Sequence, residues 1–248
     1  NAEKAPAVIA MHPHGGNYEY GKEEVIGNTG NPDMFYGKEL AERGYVVFAM
    51  DAPLFGKESR FGFKNSPETA EEFAAQGLFV LGHPPLGVVV QEDLIALDYL
   101  KTLNYVDKEN MGCIGHSFGG VRCIYLSALS NEIKSVVLSS SVANLKLNDE
   151  PGALHTWLTL LPGIAKYTET RGILALISPR PLMVFYTEDD PIFPAKEAKE
   201  QIKAVEELYK RLGKDEDFKS VFIEKEAHTF PLKYHEQAYE FLDKYLKN

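Results

Sequence analysis

Six short apolar segments, separated by stretches with helical periodicity, dominate the sequence. Rich in Val, Ile, Phe and Met, they are typical of strands buried on both faces of a sheet. They are Ala7–Met11, Tyr45–Met50, Met111–Gly115, Ser135–Ser139, Leu182–Thr187 and Phe218–Ile223. Such alternation is typical of β-α-β units. The sequence therefore predicts one α/β domain over residues 1–248, with a mostly parallel sheet of six strands or slightly more and helices on both faces.

The intervening segments carry helix signals. Asn31 followed by Pro32 predicts a helix start, and Gly44 predicts that helix's end. A last helix is predicted over Lys233–Leu246. Spacings of three and four residues predict the buried faces of three helices. The buried positions are Val90, Leu94, Leu97 and Leu100; Ala198, Ile202, Val205, Tyr209 and Leu212; and Ala238, Phe241, Leu242 and Tyr245.

Composition excludes several classes of protein. With 44% apolar residues and a net charge of −10, the chain is globular and acidic, so nucleic acid and anionic membrane surfaces are not expected as partners. No apolar run approaches the roughly 18 residues of a membrane span, which predicts a soluble protein. Cys113 and Cys123 lie in apolar contexts and are predicted to be buried free thiols. The chain begins with Asn1 and not Met, which suggests processing or a fragment and leaves a cytoplasmic or secreted location open.

Two long segments interrupt the alternation. Ala52–Gly87 contains scattered Gly, Pro and Phe, and Ser140–Pro181 separates two strands that a simple helix could connect. Long excursions inside a compact domain are usually functional. We predict that residues 140–181 form a lid or pocket wall, with His155 and Trp157 in the substrate pocket. The alternative is an amphipathic helix packed on the sheet, with Trp157 in the core.

The strongest chemical signal is the segment Gly115-His116-Ser117-Phe118-Gly119-Gly120. It follows a predicted strand and precedes the helical segment Val121–Leu129. A serine on such a turn projects over the sheet, and flanking glycines let the backbone bend sharply. We therefore predict that Ser117 is a nucleophile rather than an incidental serine of a glycine-rich turn, and that the neighbouring His116 contributes to the substrate pocket.

A serine nucleophile needs a base, and the base needs an orienting carboxylate. After Leu182–Thr187 the chain continues with Glu188, Asp189 and Asp190, and after Phe218–Ile223 it reaches His228. Because the expected chain order is serine, acid, histidine, His228 is predicted to be the base. Spacing does not choose between Asp189 and Asp190 as the acid. Asp51 is a third candidate, which chain order disfavours.

The loop His12-Pro13-His14-Gly15-Gly16 directly follows the first predicted strand. An oxyanion needs two preorganised backbone N–H donors, one from the residue after the nucleophile, Phe118, and one from a loop of this type. Pro13 has no N–H, which favours His14. The alternative, that His12 and His14 bind a metal, lacks accompanying ligands at suitable spacing.

The chain resembles the dienelactone-hydrolase-like branch of the α/β-hydrolases, especially its acetyl-xylan-esterase-related bacterial esterases. The resemblance lies in the segments Ala7–Gly16, Glu92–Gly120, Leu161–Pro194 and Glu226–Phe230. It implies an α/β-hydrolase fold, Asp190 as the acid because it precedes Pro-Ile-x-Pro, and His14 and Phe118 as oxyanion donors. Family members usually carry two strands before the loop, so the resemblance implies either a sheet that is short at one edge or the removal of those first strands. Their usual Gly at the second loop position is Pro13 in this chain.

These observations predict a serine carboxylesterase that hydrolyses short-chain, acetyl-type esters through Ser117, His228 and Asp190. The substrate would be a small-molecule or carbohydrate ester, and the mechanism requires no cofactor or metal. The alternatives are an aminopeptidase-like or thioester hydrolase with the same residues, and a binding protein that has kept the fold without catalysis. The sequence does not predict the alcohol part of the substrate or the oligomeric state.

Overall fold

The apolar segments form one six-stranded parallel sheet in the computed structural model, which describes residues 4–59, 66–146 and 156–247. The strand order is β2-β1-β3-β4-β5-β6, and every neighbouring pair is parallel. The strands are β1 (Ala5–Met11), β2 (Val46–Phe48), β3 (Val106–His116), β4 (Ile133–Ser139), β5 (Leu182–Thr187) and β6 (Phe218–Ile223). The α/β fold with a mostly parallel sheet is therefore confirmed, and β5 and β6 have the predicted bounds.

Four strands differ in length from the prediction: β1 and β4 each begin two residues earlier, and β2 and β3 differ more. β2 has only three residues, because it lies at the edge of the sheet and pairs with β1 alone. The predicted Tyr45–Met50 was therefore too long. β3 is longer than predicted and begins at Val106, because it lies between β1 and β4 and pairs with both. The long central strand ends directly before Ser117, at the carboxyl edge of the sheet.

Helices cover both faces of the sheet. Those of the described residues are α1 (Lys22–Val25), α2 (Tyr36–Glu42), α3 (Pro67–Val80), α4 (Pro85–Thr102), α5 (Phe118–Leu129), α6 (Thr170–Ala175), α7 (Ala195–Arg211) and α8 (His235–Leu246). Alternate residues of β1 belong to different cores, as the period of a strand requires. Ile9 and Met11 belong to the same buried cluster as residues of α4, α5 and α7, whereas Val8 and Ala10 belong to the same buried cluster as residues of α2 and α8.

The predicted helix faces are mostly buried, although Leu94 and Tyr245 are only partly so. Ala198, Ile202, Val205 and Tyr209 of α7 are buried, but Leu212 is 49% exposed because it follows the last helical turn as its cap. Asn31 does accept a capping bond from the N–H of Asp33, yet it caps a short 3₁₀ turn, Pro32–Met34. α2 begins only at Tyr36. Cys113 and Cys123 are buried free thiols, as predicted.

The two long segments contain short helical elements. Within residues 52–87, the chain forms a 3₁₀ turn at Gly56–Ser59 and then α3. Within residues 140–181, it forms 3₁₀ turns at Trp157–Thr159 and Ile164–Lys166, followed by α6. His155, predicted to lie in the pocket, falls outside the described residues.

No single helix in the described ranges is both long and apolar enough to cross a membrane. Residues 68–80 of α3 and all of α4 reach the necessary length and composition only as a pair, which is bent by 94°.

Candidate active site

Ser117 lies on the sharp turn between β3 and α5. Its φ of 56° and ψ of −124° are unusual for a residue with a side chain. A Cβ on Gly115 would collide with the backbone of Gly119, and one on Gly119 would collide with the Met11 carbonyl oxygen. The two glycines therefore permit a close approach of strand, turn and helix that no other residue type allows. The turn is further fixed by the Ser117 N–H, which donates to the Ser139 carbonyl at 2.8 Å.

His228 lies on the loop after β6 and meets Ser117 at the edge of the sheet. Its Nε2 atom is 2.8 Å from Oγ of Ser117, and its Nδ1 atom is 2.8 Å from Oδ2 of Asp190. Phe193 stacks on the imidazole with ring centroids 5.7 Å apart. The structure thus brings the three predicted residues into one hydrogen-bonded chain, with the imidazole held between a hydroxyl and a carboxylate.

Asp190 is buried and accepts several hydrogen bonds. Its Oδ1 atom accepts from the N–H groups of Ile192 and Phe193, both at 2.8 Å, and Oδ2 accepts from the Thr187 hydroxyl at 3.3 Å. Burial alone would raise the pKa of Asp190, but the bond with His228 and those from the two N–H groups outweigh it. The pKa of Asp190 is therefore held below its usual range, and the carboxylate is stabilised in its charged form.

The other two candidate acids lie elsewhere. Asp189 is exposed, and its N–H donates to the Glu226 carbonyl at 3.0 Å. Asp51 is buried and pairs with the Lys22 ammonium group. It also accepts from the N–H groups of Lys22 at 2.9 Å and Lys57 at 3.1 Å. These contacts fix the loop after β2 and leave Asp190 as the carboxylate that contacts His228.

A contact that the sequence did not predict secures the His228 loop. Asp33, on the 3₁₀ turn before α2, accepts from the Thr229 hydroxyl at 3.1 Å and from the Leu232 N–H at 3.2 Å. These partners are almost 200 residues away in the chain, so local spacing carries no signal for the contact. Asp33 therefore anchors the residues that directly follow His228.

The two predicted oxyanion donors lie at the same edge of the sheet. Phe118 is the first residue of α5, so its N–H belongs to the helix start, where N–H groups have no partner within the helix. His14 follows the end of β1, which lies beside β3. The His14 side chain is buried, and its Nδ1 atom accepts from the Gly16 N–H at 3.2 Å. The loop is thus shaped by the imidazole of one of its own residues.

The His12 and His14 side chains have different hydrogen-bond partners. His12 donates through Nδ1 to the Pro13 carbonyl at 2.8 Å and accepts through Nε2 from the Ala52 N–H at 2.9 Å. Burial, together with the nearby Arg122 charge, lowers the pKa of His12 to about 3. Within the described part of the chain, no group of three or more His, Cys, Asp or Glu side chains could hold a metal ion. The His12 imidazole instead joins two loops at the sheet edge.

A second residue missed by the sequence analysis is Glu71 of α3. Its carboxylate is 2% exposed and accepts four hydrogen bonds. The donors are Nε2 of His14 at 2.9 Å, the Tyr18 hydroxyl at 2.7 Å, and the Thr156 hydroxyl and Trp157 N–H, each at 2.6 Å. In sequence, Glu71 lies 57 positions from His14 on the predicted oxyanion loop. It lies 85 and 86 positions from Thr156 and Trp157, which begin the returning segment, residues 156–181, that leads back to β5. Only a prediction of tertiary contacts could have found it.

The remaining predicted pocket residues have different surroundings. His116 is 3% exposed; its ring lies 4.6 Å from that of His228, and Nδ1 is 3.1 Å from the Ser139 hydroxyl. Trp157 is half-buried on its 3₁₀ turn, whereas the adjacent Leu158 is buried with Phe55 and Phe118. Of these neighbours, Leu158 therefore belongs to the core, and Trp157 lies between core and surface.

A family model and a bacterial relative both identify hydrolases as the proteins that this chain resembles. A model of the dienelactone hydrolase family matches residues 22–241. A Bacillus subtilis (strain 168) protein named "Putative hydrolase YtaP" is 28% identical over 244 residues, which cover 97% of this chain and 79% of that protein.

Solved structures share the fold at lower identity. A "putative acetyl xylan esterase" of Bacteroides fragilis superposes with a TM-score of 0.71 at 19% identity, covering 89% of this chain and 59% of that one. Pyrococcus horikoshii acylaminoacyl peptidase gives a TM-score of 0.70 at 17% identity, covering 100% and 38%. The chain thus spans less than two thirds of the length of both. At such identities the likeness establishes the α/β-hydrolase fold alone.

Proposed function

The chain belongs to the dienelactone hydrolase family, and we propose that it is a serine esterase that hydrolyses short-chain acyl esters. The observation that carries the proposal is the continuous chain of two 2.8 Å contacts from Ser117 through His228 to Asp190. A serine hydroxyl is a weak nucleophile until an oriented base can take its proton. This arrangement provides the base and its orienting acid.

In the first half of the proposed reaction, Oγ of Ser117 attacks the acyl carbon of the ester while Nε2 of His228 accepts the hydroxyl proton. Asp190 accepts the hydrogen bond from Nδ1–H, which fixes the tautomer and stabilises the imidazolium that forms. The imidazolium then protonates the departing alkoxide oxygen. The products of this half are an alcohol and an acyl group bonded to Ser117.

In the second half, His228 removes a proton from a water molecule, and the resulting hydroxide attacks the acyl carbon. The bond to Oγ breaks, Ser117 recovers its proton from the imidazolium, and the carboxylic acid leaves. In both halves negative charge develops on the carbonyl oxygen. The N–H groups of His14 and Phe118 are the proposed donors to that oxygen, where preorganised hydrogen bonds are worth most.

A preference for short acyl groups is supported by the residues near the reacting atoms. The His116 ring packs against the His228 ring with centroids 4.6 Å apart, and Phe193 stacks on the same His228 ring at 5.7 Å. We assign Trp157, on the returning segment, to the wall of the acyl pocket. The substrate class is supported by two structural neighbours, one named a "putative acetyl xylan esterase" and the other a methylesterase. A carbohydrate or small-molecule ester is the proposed substrate, with no cofactor in the chemistry.

A substrate panel tests this proposal. Acetyl, propionyl, butyryl and octanoyl p-nitrophenyl esters, acetylated xylo-oligosaccharides, an acetyl thioester and an N-acyl aminoacyl anilide would be assayed with the wild type and Ser117→Ala. We expect hydrolysis of acetyl esters that Ser117→Ala lacks. Faster cleavage of the anilide or thioester would favour the alternative hydrolases, and no Ser117-dependent cleavage at all would contradict an enzymatic function.

A further inference from the structure

Glu71 joins two segments that border the proposed active site. Its Oε2 atom accepts from His14 and Tyr18, on or next to the oxyanion loop. Its Oε1 atom accepts from the Thr156 hydroxyl and the Trp157 N–H, where the returning segment begins its 3₁₀ turn. One buried carboxylate on α3 thus binds both the oxyanion loop and the returning segment. A buried carboxylate is costly unless its oxygens are fully paired, and here each oxygen has two donors.

Burial would raise the pKa of Glu71, but the hydrogen bonds from His14, Thr156 and Tyr18 outweigh it and hold that pKa below its usual range. The carboxylate is therefore present in its charged, acceptor-only form. A charged acceptor in this position requires every neighbour to donate. That requirement has a specific consequence for His14.

The contacts of His14 define its tautomer. Nδ1 accepts from the Gly16 N–H at 3.2 Å, so it carries no proton. Nε2 lies 2.9 Å from Oε2 of Glu71, which can only accept, so Nε2 carries the proton. The charge of Glu71 therefore selects the tautomer that leaves Nδ1 able to bind the Gly16 N–H, and that bond bends the loop around the His14 backbone.

We propose that Glu71 is a positioning residue for ester hydrolysis, which sets the His14 tautomer and so holds the His14 backbone N–H at the oxyanion. The inference rests on the proposed function. It predicts that a neutral side chain of the same shape at position 71 impairs the transition state more than substrate binding, because the oxyanion forms only as the reaction proceeds.

Glu71→Gln is a selective test because the neighbouring groups determine which way round the new side-chain amide lies. The Trp157 N–H can only donate, so the Gln oxygen must occupy the Oε1 position and the NH₂ group must face His14 and Tyr18. The Tyr18 hydroxyl can rotate to accept. His14 can accept only by moving its proton from Nε2 to Nδ1, which breaks the bond from the Gly16 N–H.

The kinetic result expected for Glu71→Gln is a fall in kcat of roughly 10- to 100-fold, less than the loss of a whole oxyanion donor, with KM within about threefold. The control is Glu72→Gln, the same change at the adjacent exposed position, where the carboxylate accepts a hydrogen bond from Gln76 on the same helix. We expect Glu72→Gln to match the wild type. A Glu71→Gln enzyme with wild-type kcat would overturn the proposal.

A second readout does not depend on activity. In ¹⁵N NMR spectra of histidine-labelled protein, with a His14→Gln variant to assign the signal, His14 is expected to carry its proton on Nε2 in the wild type and on Nδ1 in Glu71→Gln. Wild-type protein with the proton on Nδ1 would overturn the proposal even if Glu71→Gln did not fold. Failure of the wild type to hydrolyse any ester would instead overturn the proposed function, whichever tautomer is found.

Discussion

The Oγ atom of Ser117 lies 2.8 Å from Nε2 of His228, although the two residues are 111 positions apart in the chain. The contact depends on two separate constraints. Ser117 is held on a turn with φ 56° at the end of β3, and His228 is held on a loop whose next residue, Thr229, is anchored by Asp33. The serine and its base are thus positioned by different parts of the sheet and meet only at its carboxyl edge.

The first prediction concerns the acid. Asp190→Asn is expected to lower kcat by roughly 10³- to 10⁴-fold, because an amide favours the wrong imidazole tautomer. The matched control is Asp189→Asn, since Asp189 is exposed and contacts the neighbouring loop through its backbone. Steady-state kinetics on p-nitrophenyl acetate would measure both. A larger loss in Asp189→Asn than in Asp190→Asn would contradict the assignment.

The second prediction concerns pH. Because the pKa of Asp190 is lowered, its carboxylate stays charged at every pH above the usual value for Asp, about 3.9. Only the neutral form of His228 can accept the Ser117 proton, so kcat/KM is expected to fall on acidification with the uptake of one proton. The measurement is a pH–rate profile in a constant-ionic-strength buffer. A rate that stays constant down to about pH 4, where only carboxylates titrate, would contradict His228 as the base.

The strands, Ser117 and His228 could be predicted because those signals are local, whereas the choice of Asp190 over Asp189 came from the family resemblance. A buried strand, a glycine-flanked serine and a loop position after a strand can each be recognised within ten residues or so. Gly115 and Gly119 are likewise explained locally, because the sharp turn leaves no room for a Cβ atom at either position.

What the sequence did not predict depends on distant partners. Glu71 is one of 36 acidic residues, and nothing in its helix distinguishes it from Glu72 except the direction it faces. Asp33 and its anchored loop are separated by almost 200 residues. Leu212 fitted the helical period of α7, but the helix ends one residue earlier. The contacts of Glu71 and Asp33 were missed because they depend on tertiary structure and not on local pattern, whereas the error at Leu212 concerns only where a helix ends.

The third prediction concerns acyl length. If Trp157 forms the pocket wall, Trp157→Ala should reduce the preference for acetyl over octanoyl esters and change thermal stability little, because the residue is only half-buried. The neighbouring control is Leu158→Ala, which removes a buried side chain and is expected to cost about 2–5 kcal/mol of unfolding free energy. The measurements are kcat/KM across acyl lengths and urea unfolding. An unchanged acyl preference in Trp157→Ala, with a loss of stability like that of Leu158→Ala, would assign the segment to the core.

The fourth prediction concerns a buried ion pair between α4 and α5. Arg122 and Asp93 are both completely buried, with Nη2 of Arg122 2.5 Å and Nε 3.1 Å from the two carboxylate oxygens. Asp93→Ala leaves the guanidinium without its counter-charge, so we expect a loss of about 3–5 kcal/mol in unfolding free energy. The control is Asp98→Ala, which removes an exposed partner of Lys101 on the same helix and should cost less than about 1 kcal/mol. Equal effects in urea unfolding would contradict the prediction.

The central claim, that Ser117 is a nucleophile activated by His228, is tested most directly by covalent labelling. Wild-type protein and the variants Ser117→Ala and His228→Ala would be treated with a fluorophosphonate and analysed by intact-protein and peptide mass spectrometry. The account predicts one adduct per chain, on Ser117 in the wild type, absent from Ser117→Ala and formed at least about 100-fold more slowly in His228→Ala. An adduct on another residue, or labelling of the wild type no faster than that of His228→Ala, would contradict it.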